Sequence, residues 1–180
     1  MRIATASIMA LALLCATARG QETSGIPENI IKALDGLVGT WEIEGKIGDA
    51  TETGQFTCRW AKSDDGRKCC LTGRFSYKKG DKTRSGVTLI GWNAVHNCIE
   101  DRGFDVNGGN GRLLWTVESA DKWQGDLTFV EDGKELKSTA VLVKKGPQEI
   151  VTEGTSETGE ASRYVFRKVA DAKKGKKKKE

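Results

Sequence analysis

The sequence predicts a mostly β domain, an antiparallel barrel or half-closed barrel of about ten strands preceded by a short helix. From Thr40 onward, apolar and polar residues alternate along most segments, and turn residues recur about every 8–12 positions. One face of most segments is therefore apolar and the other charged. A sheet that curls until its edges meet would bury the apolar face and remove exposed edges.

The N-terminus has the three parts of a secretory signal peptide. Arg2 supplies a positive start, residues 8–14 form a short apolar run, and Ala16-Thr17-Ala18 is an A-x-A cleavage site. The apolar run is shorter than the ~20 residues that a membrane-spanning helix needs. We therefore assign residues 1–18 to a signal peptide and predict export to the periplasm or the extracellular space.

The predicted barrel-like domain occupies residues 27–169, after a polar spacer at 19–26. Pro27 suits the first turn of a helix, Glu28 favours its positive end, and apolar residues recur at helical spacing until Gly36. These features predict a short helix over about 27–36. The strand segments follow in order, separated by turn signals at 63–66, 79–81, 107–111, 132–133 and 146–147.

Residues 170–180 form a lysine-rich tail that we expect to be disordered. Residues 168–180 contain seven lysines and two acidic residues, whereas residues 20–167 contain 20 basic and 23 acidic residues. The net positive charge therefore belongs to the tail, and no specific nucleic-acid partner is predicted. Two roles are open for the tail: contact with an anionic surface, or a solvated end without a partner.

Four cysteines remain after cleavage, and an even number in an exported protein favours disulfides. A turn at 63–66 would fold the strand of Cys58 back along the strand of Cys69 and Cys70. Because Cys58 and Cys69 share the apolar faces, we predict that they are bridged. Cys70 would then be free, or would meet Cys98 if that strand lies beside it. The alternative is that all four are reduced and buried.

Several short motifs resemble those of exported lipocalin-like (calycin-type) domains of unassigned function, the family called domain of unknown function 1579. They span about 37–169 and comprise Leu37-Val38-Gly39-Thr40-Trp41, Ile90-Gly91-Trp92-Asn93, Gly103-Phe104-Asp105, Asn107-Gly108-Gly109, Trp115, Trp123 and Asp132-Gly133-Lys134. The resemblance implies that an arginine of the last strand, Arg163 or Arg167, covers Trp41. Fatty-acid binding is not implied, because Tyr164 directly follows Arg163 and the Arg-x-Tyr of fatty-acid-binding proteins is absent.

The aromatic residues of the apolar faces leave two functions open. They could line a cavity for a small or lipid-like apolar ligand, or fill the barrel as core; the residues are Trp41, Phe56, Trp60, Phe75, Trp92, Trp115 and Trp123. A cavity would indicate a binding protein. A filled barrel would indicate a structural or interaction protein of the envelope, whose basic tail contacts anionic surfaces. His96 lacks a positioned partner, so we predict no catalytic residue, and likewise no cofactor and no metal.

Overall fold

The computed structural model describes residues 25–131 and 133–170, so the predicted signal peptide and residues 171–180 of the tail lie outside the described residues. No helix among the described residues is long and apolar enough to cross a membrane. The described part of the chain forms one helix and ten strands: α1 (Glu28–Asp35), β1 (Gly39–Ile47), β2 (Ala50–Lys62), β3 (Lys68–Lys79), β4 (Lys82–Asn93), β5 (Cys98–Asp105), β6 (Asn110–Ser119), β7 (Lys122–Glu131), β8 (Lys134–Gly146), β9 (Glu149–Ser156) and β10 (Ala161–Lys168).

The ten strands form a closed antiparallel barrel, which confirms the predicted fold class. Each strand pairs with the next along the chain, and β1 pairs with β10 to close the ring. The closing ladder runs from Trp41 opposite Lys168 to Ile47 opposite Ser162. Two-residue turns at 48–49 and 80–81 join successive strands, and each begins with a glycine in the left-handed region, Gly48 at φ 53° and Gly80 at φ 57°.

Helix α1 closes one end of the barrel, which we call the helix end; the opposite end is the mouth. Ile30, Ala33 and Leu34 are buried in one cluster with inward-facing residues of most strands. The helix is held at its C-terminal turn, where Lys144 Nζ donates a hydrogen bond to the carbonyl of Ala33 (2.7 Å). Asp35 accepts hydrogen bonds from the Trp60 indole (2.7 Å) and from Lys68 Nζ (2.7 Å).

The cation that covers Trp41 is Lys168, so the prediction of Arg163 or Arg167 is wrong. Trp41 is 1% exposed, and Lys168 Nζ lies 5.2 Å from the centroid of its ring. Side chains alternate along a strand, so Lys168, directly opposite Trp41, shares its inward face. The two arginines point outward and form ion pairs with Glu153 and Glu44, respectively.

The predicted Cys58–Cys69 bridge is not present, because the hairpin has a different register. Cys58 lies opposite Gly73, and the β2–β3 ladder shifts between Ala61 and Lys62. Cys69 is the extra residue of this bulge, since Ala61 pairs with Cys70 and Lys62 with Lys68. Cys69 is consequently exposed while Cys58 is buried, and the four cysteines of the described residues are all free, including Cys98.

Candidate functional site

The helix end of the barrel is filled by a dry core. Five inward-facing side chains of this end are between 0% and 5% exposed: Trp41, Leu71, Ile99, Trp115 and Trp123. Phe56, Trp60 and Trp92 are partly buried against the same cluster. Six of the seven aromatic residues considered as ligand-lining candidates therefore pack together as core. The seventh, Phe75, lies further towards the mouth.

The mouth half of the barrel is less completely buried than the helix end. Its strands carry inward-facing side chains of intermediate exposure: Glu52, Phe75, Tyr77, Arg84, Asp101, Leu113, Phe129 and Tyr164. These residues share the inward face with core residues of the same strands, for example Asp101 with Ile99. We call this half of the barrel interior the mouth chamber.

A pair of glycines leaves part of the wall of the chamber without side chains. Gly103 of β5 lies directly opposite Gly111 of β6. A Cβ atom on Gly103 would meet no other atom closer than 3.7 Å, and one on Gly111 none closer than 3.5 Å. By contrast, a Cβ on inward-facing Gly73 would lie 2.5 Å from the ring of Phe56. A Cβ at either glycine would make ordinary van der Waals contacts, so this pair, which we call the glycine niche, admits a small side chain without a clash.

Asp101 lies two residues from the niche and is the buried acid of the chamber. Its carboxyl is hydrogen-bonded to the hydroxyl of Thr88, which also lies 2.9 Å from the carbonyl oxygen of Arg102. One hydroxyl hydrogen cannot serve both acceptors when Asp101 is ionised. When Asp101 is protonated, its carboxyl can donate to Thr88 and Thr88 can donate to Arg102. Desolvation raises the pKa of Asp101 to about 6, against the Thr88 hydrogen bond.

Glu52 and two tyrosines form the other side of the chamber. The hydroxyl of Tyr164 donates a hydrogen bond to Glu52 (3.1 Å), and Lys79 Nζ lies 3.8 Å from the same carboxylate. The rings of Tyr77 and Tyr164 meet edge to face with centroids 6.3 Å apart, and Phe75 lies 5.6 Å from Tyr77. Desolvation and nearby carboxylates raise the pKa of both tyrosines, so their hydroxyls stay protonated at neutral pH.

Arg84 and Asp105 form an ion pair where the chamber meets the β5–β6 turn. Asp105 also accepts hydrogen bonds from the backbone N–H groups of Asn107 (2.8 Å) and Gly109 (2.9 Å). Burial opposes the charge of Asp105, but these hydrogen bonds and Arg84 outweigh it and lower the pKa of the carboxyl. Asp105 is therefore ionised; its hydrogen bonds stabilise the β5–β6 turn, and its ion pair positions Arg84.

Sequence reasoning missed the polar chamber. Glu52, Arg84 and Asp101 occupy inward positions in strands that also carry apolar and aromatic inward residues. A charged residue in phase with an apolar face was the available signal. The prediction considered aromatic residues alone, and most of these form the core.

The outer wall carries two shallow grooves and the single histidine. Grooves of about 770 Å³ and 620 Å³ lie over outward-facing residues such as Glu44 and Glu153. His96 is exposed in the β4–β5 turn, where its backbone N–H donates to Asn93 (3.1 Å). Residues 25–131 and 133–170 contain no group of His, Cys, Asp and Glu that could hold a metal ion.

The chain is similar in fold to solved β-barrels. No protein-family model and no curated protein matches it. An S-type phycobiliprotein lyase, CPES, from Guillardia theta has 11% sequence identity and a TM-score of 0.48, with 81% of this chain and 99% of that chain covered. A redesigned β-barrel, mFAP1, bound to DFHBI has 18% identity and a TM-score of 0.42, with 76% and 99% covered. A de novo designed fluorescence-activating β-barrel has 16% identity and a TM-score of 0.42, with 77% and 98% covered. At this identity the similarity concerns the fold alone.

Proposed function

We propose that this chain is an exported binding protein that holds a small ligand in the mouth chamber of its barrel. The observation that carries the proposal is the contrast in exposure along the barrel axis. Trp123 and Leu71 at the helix end are 0% exposed, whereas inward-facing Phe75 and Phe129 remain accessible. A barrel that only needed a core would be packed along its whole length.

The lining of the chamber suits an organic molecule rather than a bare ion. Aromatic rings of Phe75, Tyr77 and Tyr164 offer flat apolar surface, and a few polar groups converge beside them. Ligand sites typically combine an apolar wall with a small number of placed polar groups that fix the orientation of the ligand. Beside these groups, the paired glycines of the niche keep the wall of the lumen free of side chains.

The resemblance of the Leu37-Val38-Gly39-Thr40-Trp41 junction to exported lipocalin-like domains supports the proposal at the level of architecture. Membership of that family is part of the proposal, as is export through the signal peptide at residues 1–18. N-terminal sequencing of the protein released by its host tests export. A new N-terminus near residue 19 would support it, and a chain starting at Met1 would contradict it.

Filling the glycine niche tests ligand binding. Gly103→Leu places an isobutyl group in the lumen, while Thr116→Leu adds similar bulk on the outer face of β6. The probe is neutral N-phenyl-1-naphthylamine, whose fluorescence rises in apolar sites. We expect saturable one-to-one binding to the wild type and to Thr116→Leu, and at least tenfold weaker binding to Gly103→Leu.

Circular dichroism and urea unfolding establish that each variant is folded. Gly111→Leu, which fills the niche from the opposite strand, replaces Gly103→Leu if the latter fails to fold. Equal probe affinity in the wild type and the filled variant would refute the chamber as the binding site. Absence of saturable binding to the wild type would refute the proposed function.

A further inference from the structure

We propose that the ligand of the mouth chamber carries a positive charge, as an amine or another organic cation, which binds against Asp101 beside the glycine niche. This inference rests on the proposed function and adds the chemical class of the ligand. Three features support it: the charges that face the chamber, the ion-pair partners of those charges, and the aromatic rings around them.

Below its rim, the chamber is predominantly acidic: the described carboxylates of Glu52, Asp101 and Asp105 face inward, against the guanidinium of Arg84. At the rim, the register also places Lys79, Lys82 and Lys134 on the inward face, and all three are exposed. Arg84 is held in an ion pair by Asp105. Lys79 stands at the rim with its side chain 54% exposed, 3.8 Å from Glu52. Arg84 is therefore held by a carboxylate other than Asp101, and the described rim lysines are exposed.

Among the described residues, Asp101 lacks a cationic partner. No ion pair joins it to a Lys or Arg within residues 25–131 and 133–170, and its hydrogen-bonding partner is the neutral hydroxyl of Thr88. An ionised carboxylate inside a protein is costly unless a cation compensates it. A cationic ligand group would supply that compensation, whereas an anionic group would meet three carboxylates and an arginine that is already paired.

The aromatic rings around the chamber favour the same ligand class. Tyr77 and Tyr164 meet at 6.3 Å and Phe75 adds a third ring at 5.6 Å from Tyr77. Their faces attract an organic cation as well as an apolar body. The hydroxyl of Tyr77 has no hydrogen-bond partner in the described part of the chain, so it is available as an acceptor for an N–H group.

Cation binding should weaken in acid, because the ligand competes with the proton of Asp101. Below pH 6 we expect the affinity to fall towards tenfold for each pH unit, as proton linkage requires. Other described titratable or charged groups face the chamber and set the background of this titration: Glu52, Tyr77, Lys79, Lys82, Arg84, Asp105, Lys134 and Tyr164. Cys58, in the adjoining core, is also coupled to Asp101. The titration is therefore compared between the wild type and a variant at Asp101.

Three probes with one ring system and different charges test the inference. They are 1-naphthylmethylamine, 1-naphthylmethanol and 1-naphthoate, titrated calorimetrically at pH 7.5 into the wild type, Asp101→Asn and Asp126→Asn. Asn keeps the shape of the protonated acid, and Asp126 is an exposed control on the outer face of β7. We expect the wild type and Asp126→Asn to bind the amine at least tenfold more tightly than the alcohol, and the carboxylate most weakly.

In Asp101→Asn, amine affinity should fall about tenfold, alcohol affinity should be unchanged, and the loss of amine binding below pH 6 should disappear. Equal binding of amine and alcohol, or tighter binding of the carboxylate, would overturn the cation inference while leaving the proposed function intact. Absence of saturable binding by all three probes would overturn both. Urea unfolding of each variant shows that it is folded under the titration conditions.

Discussion

The indole ring of Trp115 covers Gly125 across the β6–β7 ladder, so that a methyl group on Gly125 would lie 2.7 Å from Cε3 of that ring. The same relationship occurs elsewhere in the barrel, where Phe75 faces Gly86 across the β3–β4 ladder. Inward glycines let strongly curved strands bend, and aromatic rings cover the exposed backbone that they leave. The ring of Trp115 thus substitutes for the missing side chain of Gly125.

Gly125→Ala should destabilise the protein by about 1–3 kcal/mol, because the buried ring of Trp115 would have to move to admit a methyl group. The matched control is Gly103→Ala, whose Cβ has 3.7 Å of clearance. It should change the free energy of unfolding by less than about 1 kcal/mol. Urea unfolding monitored by tryptophan fluorescence measures both. Equal stability of the two variants would contradict the covering role of Trp115.

Asp101→Asn should change the pH dependence of stability in a defined direction. The pKa of Asp101 is raised from 3.8 to about 6 on folding, mainly by desolvation. Between these values the folded protein binds more protons than the unfolded chain, so this group lowers the free energy of unfolding as pH rises. The variant should match the wild type near pH 4 and exceed it at pH 7 by up to about 3 kcal/mol.

Carboxyl groups whose pKa is lowered on folding increase the free energy of unfolding as pH rises. The test is therefore the difference in this free energy between variant and wild type. The hydrogen bond from Asn93 and those from Arg102 and Arg112 hold the pKa of Glu100 at about 2. Its stabilising contribution is complete above its unfolded pKa and is lost as pH falls towards 2. Asp126→Asn, on the outer face, serves as the control. A pH-independent difference in the free energy of unfolding between Asp101→Asn and the wild type would show that folding does not raise the pKa of Asp101.

Lys144→Met should destabilise the packing of α1 against the helix end of the barrel. Lys144 Nζ donates hydrogen bonds to the carbonyls of Ala33 (2.7 Å) and Ala120 (2.8 Å) and lies 4.9 Å from the ring centroid of Trp123. Methionine keeps the apolar stem but leaves both carbonyls without this donor, which should lower the free energy of unfolding by about 1–3 kcal/mol. The neighbouring variant Lys145→Met, at an exposed position, should be nearly neutral. Equal stabilities would argue against Lys144 as an anchor of α1.

The four described thiols should react with an alkylating reagent in an order set by their burial in the barrel. Cys69 is exposed in its bulge, whereas Cys58 is 2% exposed. Burial, together with the charge of Asp101, raises the pKa of Cys58 to about 12. Iodoacetamide should therefore label Cys69 first and Cys58 only after unfolding, and Cys69→Ser should remove the fast phase. Recovery of a Cys58–Cys69 linked peptide by non-reducing mass spectrometry would contradict the register of the hairpin.

The strand number and the helix were predictable because they follow from local patterns, whereas the choice between a closed and a half-closed barrel was left open. Alternation from Thr40 onward requires strands with one apolar face, and Pro27 with Gly36 frames the helix. Features that depend on register were not predictable in the same way. The bulge at Cys69 shifts the phase of alternation within one hairpin, and no residue type at that position signals it.

The mouth chamber could have been predicted only in part. Alternation places Asp101 in phase with Ile99, and Lys168 in phase with Phe166. Spacing alone therefore predicts that Asp101 and Lys168 face the lumen. What spacing could not show is how far α1 and the tryptophans fill the barrel. That depth depends on which residues meet across the lumen, and therefore on contacts between strands far apart in sequence.

The closing ladder between β1 and β10 also determines how the barrel is oriented when it is attached to a surface or to another protein. Trp41 pairs with Lys168 at the helix end, and the backbone N–H of Val169 donates to the carbonyl of Thr40 (2.8 Å). The polypeptide thus enters and leaves the barrel at the same pole, opposite the mouth. A fusion partner or an immobilising tag joined directly before Ile26 or after Val169 would therefore leave the mouth facing bulk solution.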